Sequence, residues 1–167
     1  MPAPPEIAEP STFRAAMARF PSGVTIVTTV DQQGRQRGFT ASSFCSVSMD
    51  PQLVLVCLAT SAECHATFEQ ADAWLVHIAA MEHEPVARRF ATRGADKFAG
   101  DDFTPHASGL PHLADAPAVL ECRAHARYPG GDHTILVGEV VSVSIGGPEP
   151  AVYYDRAFTP ACRSGRM

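Results

Sequence analysis

Lysine is nearly missing from this sequence. Of its 13 Lys+Arg residues only Lys97 is lysine, and the others are arginine. No run of 18 uninterrupted apolar residues exists, which excludes a membrane-spanning helix. The first residues, MPAPPEIAEP, lack the basic and then apolar pattern of a secretory signal. The five cysteines (Cys45, Cys57, Cys64, Cys122, Cys162) form no C-x-x-C pair and are odd in number. They read as reduced thiols, and the cytoplasm is the expected compartment. A net charge of −5 leaves no basic footprint for nucleic acid. There is no G-x-G-x-x-G, no P-loop and no G-x-S-x-G, which argues against a Rossmann site, a phosphate-loop enzyme and a serine hydrolase. The histidines lack H-E-x-x-H spacing, and His77/His83 and His106/His112 stand as isolated pairs, so no metal is expected.

What remains is an ordinary globular composition. The chain has 167 residues, 46% of them hydrophobic, enough for the core of one domain. Residues 1–10, with four prolines, read as a loose arm; residues 11–158 read as the domain and 159–167 as a polar tail. Ser11 or Thr12 is placed to cap a helix over Phe13–Arg19. Strands are predicted over 23–30, 46–48, 73–79, 120–127, 133–145 and 151–154, with a hairpin return through 37–40. The apolar run Leu53–Leu58 predicts a fully buried strand. Helices are predicted from Ser61 to about Gln70 and from Glu84 to Thr92, and residues 94–117 read as loop. Gly138 inside a strand marks a bulge or a close backbone approach. About six or seven strands joined by hairpins, without βαβ rhythm, predict a mainly β fold, a closed antiparallel barrel with short flanking helices.

Three polar segments are candidates for chemistry. Gly38–Ser48 offers hydroxyls and backbone N–H groups without bulk, suited to a planar ring and a polyol chain. Arg89, Arg93 and Lys97 recur every four residues and form a cation cluster able to hold a phosphate. His133 follows a tight turn at a strand start, where it can hydrogen-bond a ligand amide or donate a proton. Taken singly, each has a plain alternative: a serine-rich turn, a solvated helix face, a structural turn histidine.

Taken together, and in order, the segments resemble the flavin reductase component of two-component flavin-dependent monooxygenases. The resemblance rests on Phe20-Pro-Ser-Gly-Val24, Gly38-Phe-Thr-Ala-Ser-Ser-Phe44, Ser46-Val-Ser-Met-Asp-Pro51, Leu55-Val-Cys-Leu58 with Ser61, Ala87-Arg-Arg-Phe-Ala91, Ala95-Asp-Lys-Phe-Ala-Gly100, Leu120-Glu-Cys-Arg123 and Gly131-Asp-His-Thr-Ile-Leu-Val-Gly-Glu-Val140. It covers residues 12–158. It implies a Greek-key split barrel that binds FMN, or alternatively FAD, near the interface of a homodimer. It implies hydride transfer from NADH or NADPH to the flavin, which then diffuses to a separate flavin-dependent monooxygenase.

By position, the resemblance assigns Pro21, Ser22, Gly23, Val24, Thr40, Ala41, Ser42 and Ser43 to the ring and ribityl chain. Cys57, Leu58, Ala59 and Ser61 continue along the ribityl and phosphate, and Arg89, Phe90 and Lys97 close the phosphate end. His133 is the catalytic candidate on the nicotinamide side. Two departures stand out: His77 where relatives carry Asn, which is expected to retune the flavin edge, and Cys64 in place of a small polar residue. Other readings of the same fold are a reductase of a corrinoid, ferric chelate or quinone, and a non-catalytic flavin-binding module.

Overall fold

The computed structural model describes residues 7–161. The parts of the expected arm and tail at 1–6 and 162–167, with Cys162, lie outside the described residues. Helix α1 (Pro10–Ala18) opens the fold. It is followed by β1 (Ser22–Gly23), β2 (Thr25–Val30), β3 (Gln36–Ala41), β4 (Cys45–Met49) and β5 (Gln52–Ala59). Next come α2 (His65–Gln70), β6 (Ala73–Ile78) and α3 (Glu84–Ala91). The chain closes with β7 (Phe103–Pro105), β8 (Pro111–Leu113), β9 (Ala118–Gly130), β10 (His133–Ile145), β11 (Ala151–Tyr154) and β12 (Ala157–Pro160).

Seven strands form one antiparallel sheet in the order β3-β2-β6-β9-β10-β5-β4, with β1-β11-β12 and β7-β8 as smaller sheets. The mainly β expectation holds, but the large sheet is an open ladder with β3 and β4 at its edges rather than a ring of paired strands. Its main core packs Val27, Phe39, Val56, Phe68 and Trp74. A second core under α3 packs Ile26, Val86, Phe90 and Leu113. Neighbouring residues of β2 thus serve two cores, as the alternation of a strand requires.

Several local expectations change. Helix α1 starts at Pro10 after Glu9, and neither Ser11 nor Thr12 caps it, because proline at the first position needs no donor there. Helix α2 begins at His65, not at Ser61. Strand β5 is half-buried: Val54, Val56 and Leu58 point into the core while Leu53, Leu55 and Cys57 are only partly covered. The segment read as loop contains the β7–β8 hairpin, pinned by Thr28 Oγ1 donating to Pro111 O at 2.6 Å. Thr159 and Pro160, read as tail, pair with β11.

Gly138 meets both expectations. The β9–β10 register shifts beside it, and a Cβ there would stand 2.8 Å from Cys122 Cβ and 2.9 Å from the Trp74 ring. Only glycine lets β10 lie flat on the indole.

His77 is not at a ligand edge but fully buried in β6. Its Nδ1 donates to Ile26 O at 2.9 Å, and Leu113 N donates to its Nε2 at 3.1 Å. The ring is a neutral staple between β6, β2 and β8. Burial pushes its pKa from 6.5 down to about 3. The unfolded chain therefore binds a proton on His77 between those values while the folded chain does not. The stability contributed by neutral His77 is complete above pH 6.5 and is lost as the pH falls toward 3. His77→Asn keeps a donor and an acceptor but cannot titrate, so its stability should fall less than the parent's between pH 7 and pH 5. Denaturant melts at the two pH values check this; equal losses would remove His77 as the acid-sensitive group.

Candidate functional site

A cleft of about 370 Å³ opens between β3, the end of β5, the turn into α2, the end of α3 and the loop after it. Its floor depends on Gly38. A Cβ at that position would sit 2.6 Å from the Phe90 ring and 2.7 Å from Val27 O, so glycine lets α3 pack directly onto β3. Thr40 locks the same contact, its Oγ1 donating to Ala87 O at 2.6 Å.

The structure brings Thr40, Cys57, Leu58, Ala59, Ser61, Phe90, Lys97 and His133 together around this cleft. The remaining expected residues lie elsewhere. Val24, Ala41 and Ser42 line a smaller pocket of about 220 Å³ with Tyr153 and Phe158. Ser22, Ser42 and Ser43 line a groove of about 710 Å³ against Phe13, Met17 and Phe20 of the α1 segment. Gly23 pairs with Val152 in the small sheet, and Pro21 lines none of these cavities. Ser43 also ties the rim to β5, since its Oγ accepts from Cys57 N at 2.9 Å and donates to Cys57 O at 3.4 Å.

The cation cluster divides. Helix α3 ends at Ala91 and Thr92 is extended, so the four-residue spacing does not put Arg89, Arg93 and Lys97 on one helix face. Arg89 turns away from the cleft. It ion-pairs with Asp102 through Nη2 and donates from Nε to Lys97 O at 3.0 Å. Arg93 takes its place, lining the cleft beside Lys97 with Nη1 within 3.5 Å of Ser61 O. The run of basic residues held that signal, but the helix had to end at 91 for Arg93 to swing to this side. Lys97 Nζ rests on Thr92 O at 2.8 Å and remains exposed. The loop is tied to the α2 entrance by Gly94 N donating to Glu63 Oε2 at 3.1 Å.

His133 is the first residue of β10 and pairs with Ala59. Its Nδ1 donates to Asp132 Oδ1 at 2.7 Å, which fixes the tautomer with Nε2 unprotonated in the neutral ring. The same contact holds the Asp132 carboxyl below its usual range. Asp132 was adjacent in sequence, but only the turn geometry shows the pairing. Cys64 forms part of the wall; burial pushes its thiol up to about 11, so it presents a neutral surface rather than a thiolate.

The cleft can therefore hold an elongated ligand. Arg93, Lys97 and the Ser61 hydroxyl suit an anionic end, the β5 edge suits a polar chain, and His133 marks a further wall. No group of three or more metal-ligating side chains occurs among the described residues, and none of their helices is long and apolar enough to cross a membrane.

Residues 17–161 match the flavin reductase like domain family. An actinorhodin polyketide dimerase of Streptomyces coelicolor is 49% identical over 93% of this chain and 88% of its own length. An NADH:riboflavin 5′-phosphate oxidoreductase of Streptomyces pristinaespiralis is 43% identical over 89% of this chain and 86% of its own. The reductase subunit of a flavin-dependent monooxygenase of Rhodococcus jostii is 36% identical over 92% of this chain and 79% of its own. Among solved structures, an NADH:FAD oxidoreductase of Streptomyces globisporus, in complex with NAD and FAD fragments, superposes with a TM-score of 0.88 at 34% identity, covering 97% of this chain and all of that one.

Proposed function

The chain belongs to the flavin reductase like domain family, and on that basis we propose that it is an NAD(P)H:flavin oxidoreductase that reduces FMN and releases it to a separate monooxygenase. The observation that carries this reading is one cleft bounded by Arg93 and Lys97 and also walled by His133. NADH is the donor named for its S. pristinaespiralis relative. A monooxygenase partner follows from the R. jostii relative, itself named a reductase subunit.

Bound flavin supplies the acceptor for hydride from the reduced nicotinamide. The chain supplies position and electrostatics. Lys97, Arg93 and Ser61 hold the phosphate, with Arg89 acting at one remove by holding the Lys97 backbone. Thr40, Phe90 and the Cys57–Ala59 edge line the ribityl path. His133, oriented by Asp132, presents Nε2 to the nicotinamide side. Val24, Ala41 and Ser42, which line the pocket next to the cleft, would hold the ring end.

That end is uncovered in the single chain. Helix α1 has no buried residue, and Phe13, Met17 and Phe20 are all more than half exposed beside Ser22, Ser42 and Ser43. A second copy over this apolar face would complete the site, giving a homodimer of two split barrels, each a curled seven-stranded sheet joined at Ser43. The free thiols Cys45, Cys57, Cys64 and Cys122 fit a cytoplasmic setting.

Anaerobic mixing of NADH with protein and FMN should bleach the flavin absorbance, and binding without bleaching would leave only a flavin-binding module. His133→Ala should slow that bleaching by about ten- to a hundredfold; an unchanged rate would remove His133 from the site. Lys97→Ala should weaken FMN binding by about tenfold and leave riboflavin, which has no phosphate, nearly unaffected. Equal losses for both would place the phosphate elsewhere. Light scattering should give twice the protomer mass, and a fully active monomer would overturn the shared site.

A further inference from the structure

The pocket assigned to the ring end has walls unlike those of the cleft. It measures about 220 Å³ and joins the cleft through Thr40 and Ala91, which line both. Val24, Ala41, Ala87, Tyr153 and Phe158 make it largely apolar. Among the described residues that line it, Arg88 alone carries a charge.

The Arg88 guanidinium is held from two sides. Its Nε donates to Glu84 Oε1 at 2.7 Å, and Nη2 lies 2.6 Å from the same oxygen, one helical turn back on α3. Its Cζ stands 5.3 Å from the centroid of the Phe158 ring, a cation–π distance. Phe158 is in turn set edge-on against Tyr153, with ring centroids 5.4 Å apart. Neither hold uses Nη1, so the group keeps a donor to offer.

We propose that Arg88 sets the protein's preference between oxidised and reduced flavin. The proposal rests on the reading of the cleft and its neighbouring pocket as a flavin site. Hydride carries two electrons and a proton from the nicotinamide to the flavin. The nicotinamide gains a positive charge, and the ring, neutral before, gains a negative one. The phosphate has the same charge throughout. Arg93 and Lys97 therefore hold both forms alike, and a cation beside the ring can tell them apart. Against apolar walls, with the ring itself displacing water, that attraction is stronger than it would be in water. Glu84 tempers it. By sharing the charge of Arg88, the carboxylate keeps the pull on the reduced ring modest, as a flavin that has to leave for another protein requires.

Anaerobic titration of the protein with oxidised FMN and with dithionite-reduced FMN gives two dissociation constants for each variant. Arg88→Met keeps a stem over Phe158 and loses the charge. It should weaken reduced FMN by about fivefold and leave oxidised FMN nearly unaffected, which lowers the potential of the bound flavin by about 20 mV. The retained affinity for oxidised FMN also shows that the variant folds. Glu84→Gln frees Arg88 of its counter-charge and should act the other way, with reduced FMN bound about threefold more tightly. A merely structural role for the pair would move both forms together. Equal losses for the two forms in Arg88→Met would overturn the proposal, and so would a Glu84→Gln shift of the same sign as that of Arg88→Met. A parent protein that binds neither form would instead sink the flavin reading itself.

Discussion

The Arg89 guanidinium connects the parts on which the cleft depends. One nitrogen pairs with Asp102 ahead of the β7–β8 hairpin and another holds the Lys97 carbonyl, while its own backbone belongs to α3. The end of α3 and two points 8 and 13 residues further along the chain are thereby set in one relation. Both charges are partly exposed, so the attraction itself adds little stability. The value is geometric: a planar fork presents fixed donors from separate nitrogens to two targets at once, whereas a lysine's donors all come from one rotatable ammonium. Phe98 and Phe103, the residues directly after the two held groups, pack against Phe90 and make the arrangement apolar at its centre.

Polar side chains elsewhere in the fold work in the same way, as ties between elements. In β2, Thr25, Thr28 and Thr29 each donate to a carbonyl of a different segment, at Ala41, Pro111 and Ala73. His77 adds two backbone contacts to the same neighbourhood. Among the described residues no buried side-chain nitrogen or oxygen lacks a partner. Each buried polar group thus offsets its own desolvation and fixes register as well.

Much of this was legible in the sequence. The alternation in 120–127 and the β-branched run of β2 were strong strand signals, and Gly138 was readable as a close approach because glycine in a strand has few other reasons. What escaped had weak local signal. Phe103–Pro105 and Pro111–Leu113 are three-residue strands rich in proline, held by Thr28 and Phe90 rather than by propensity. Leu53–Leu58 is apolar on both faces, and no periodicity could tell that one face would stay partly open. The site divided similarly. The family resemblance grouped Lys97, Thr40 and His133, and all three line one cleft, but spacing could not say that Arg89 would turn to Asp102 and Arg93 to the cleft. That exchange follows from where α3 stops, and helix ends are set by tertiary contacts as much as by sequence.

Ser43 has a consequence beyond the geometry of the site. Where β3 leaves the sheet edge, one hydroxyl occupies both the N–H and the C=O of Cys57. An unpaired strand edge is a template on which a foreign strand can grow, and sheet proteins protect such edges with charge, proline or a bulge. This chain protects that stretch of β5 with a single serine. The hydroxyl that ties the segment after β3 to the β5 wall of the cleft also denies passing chains a place to dock.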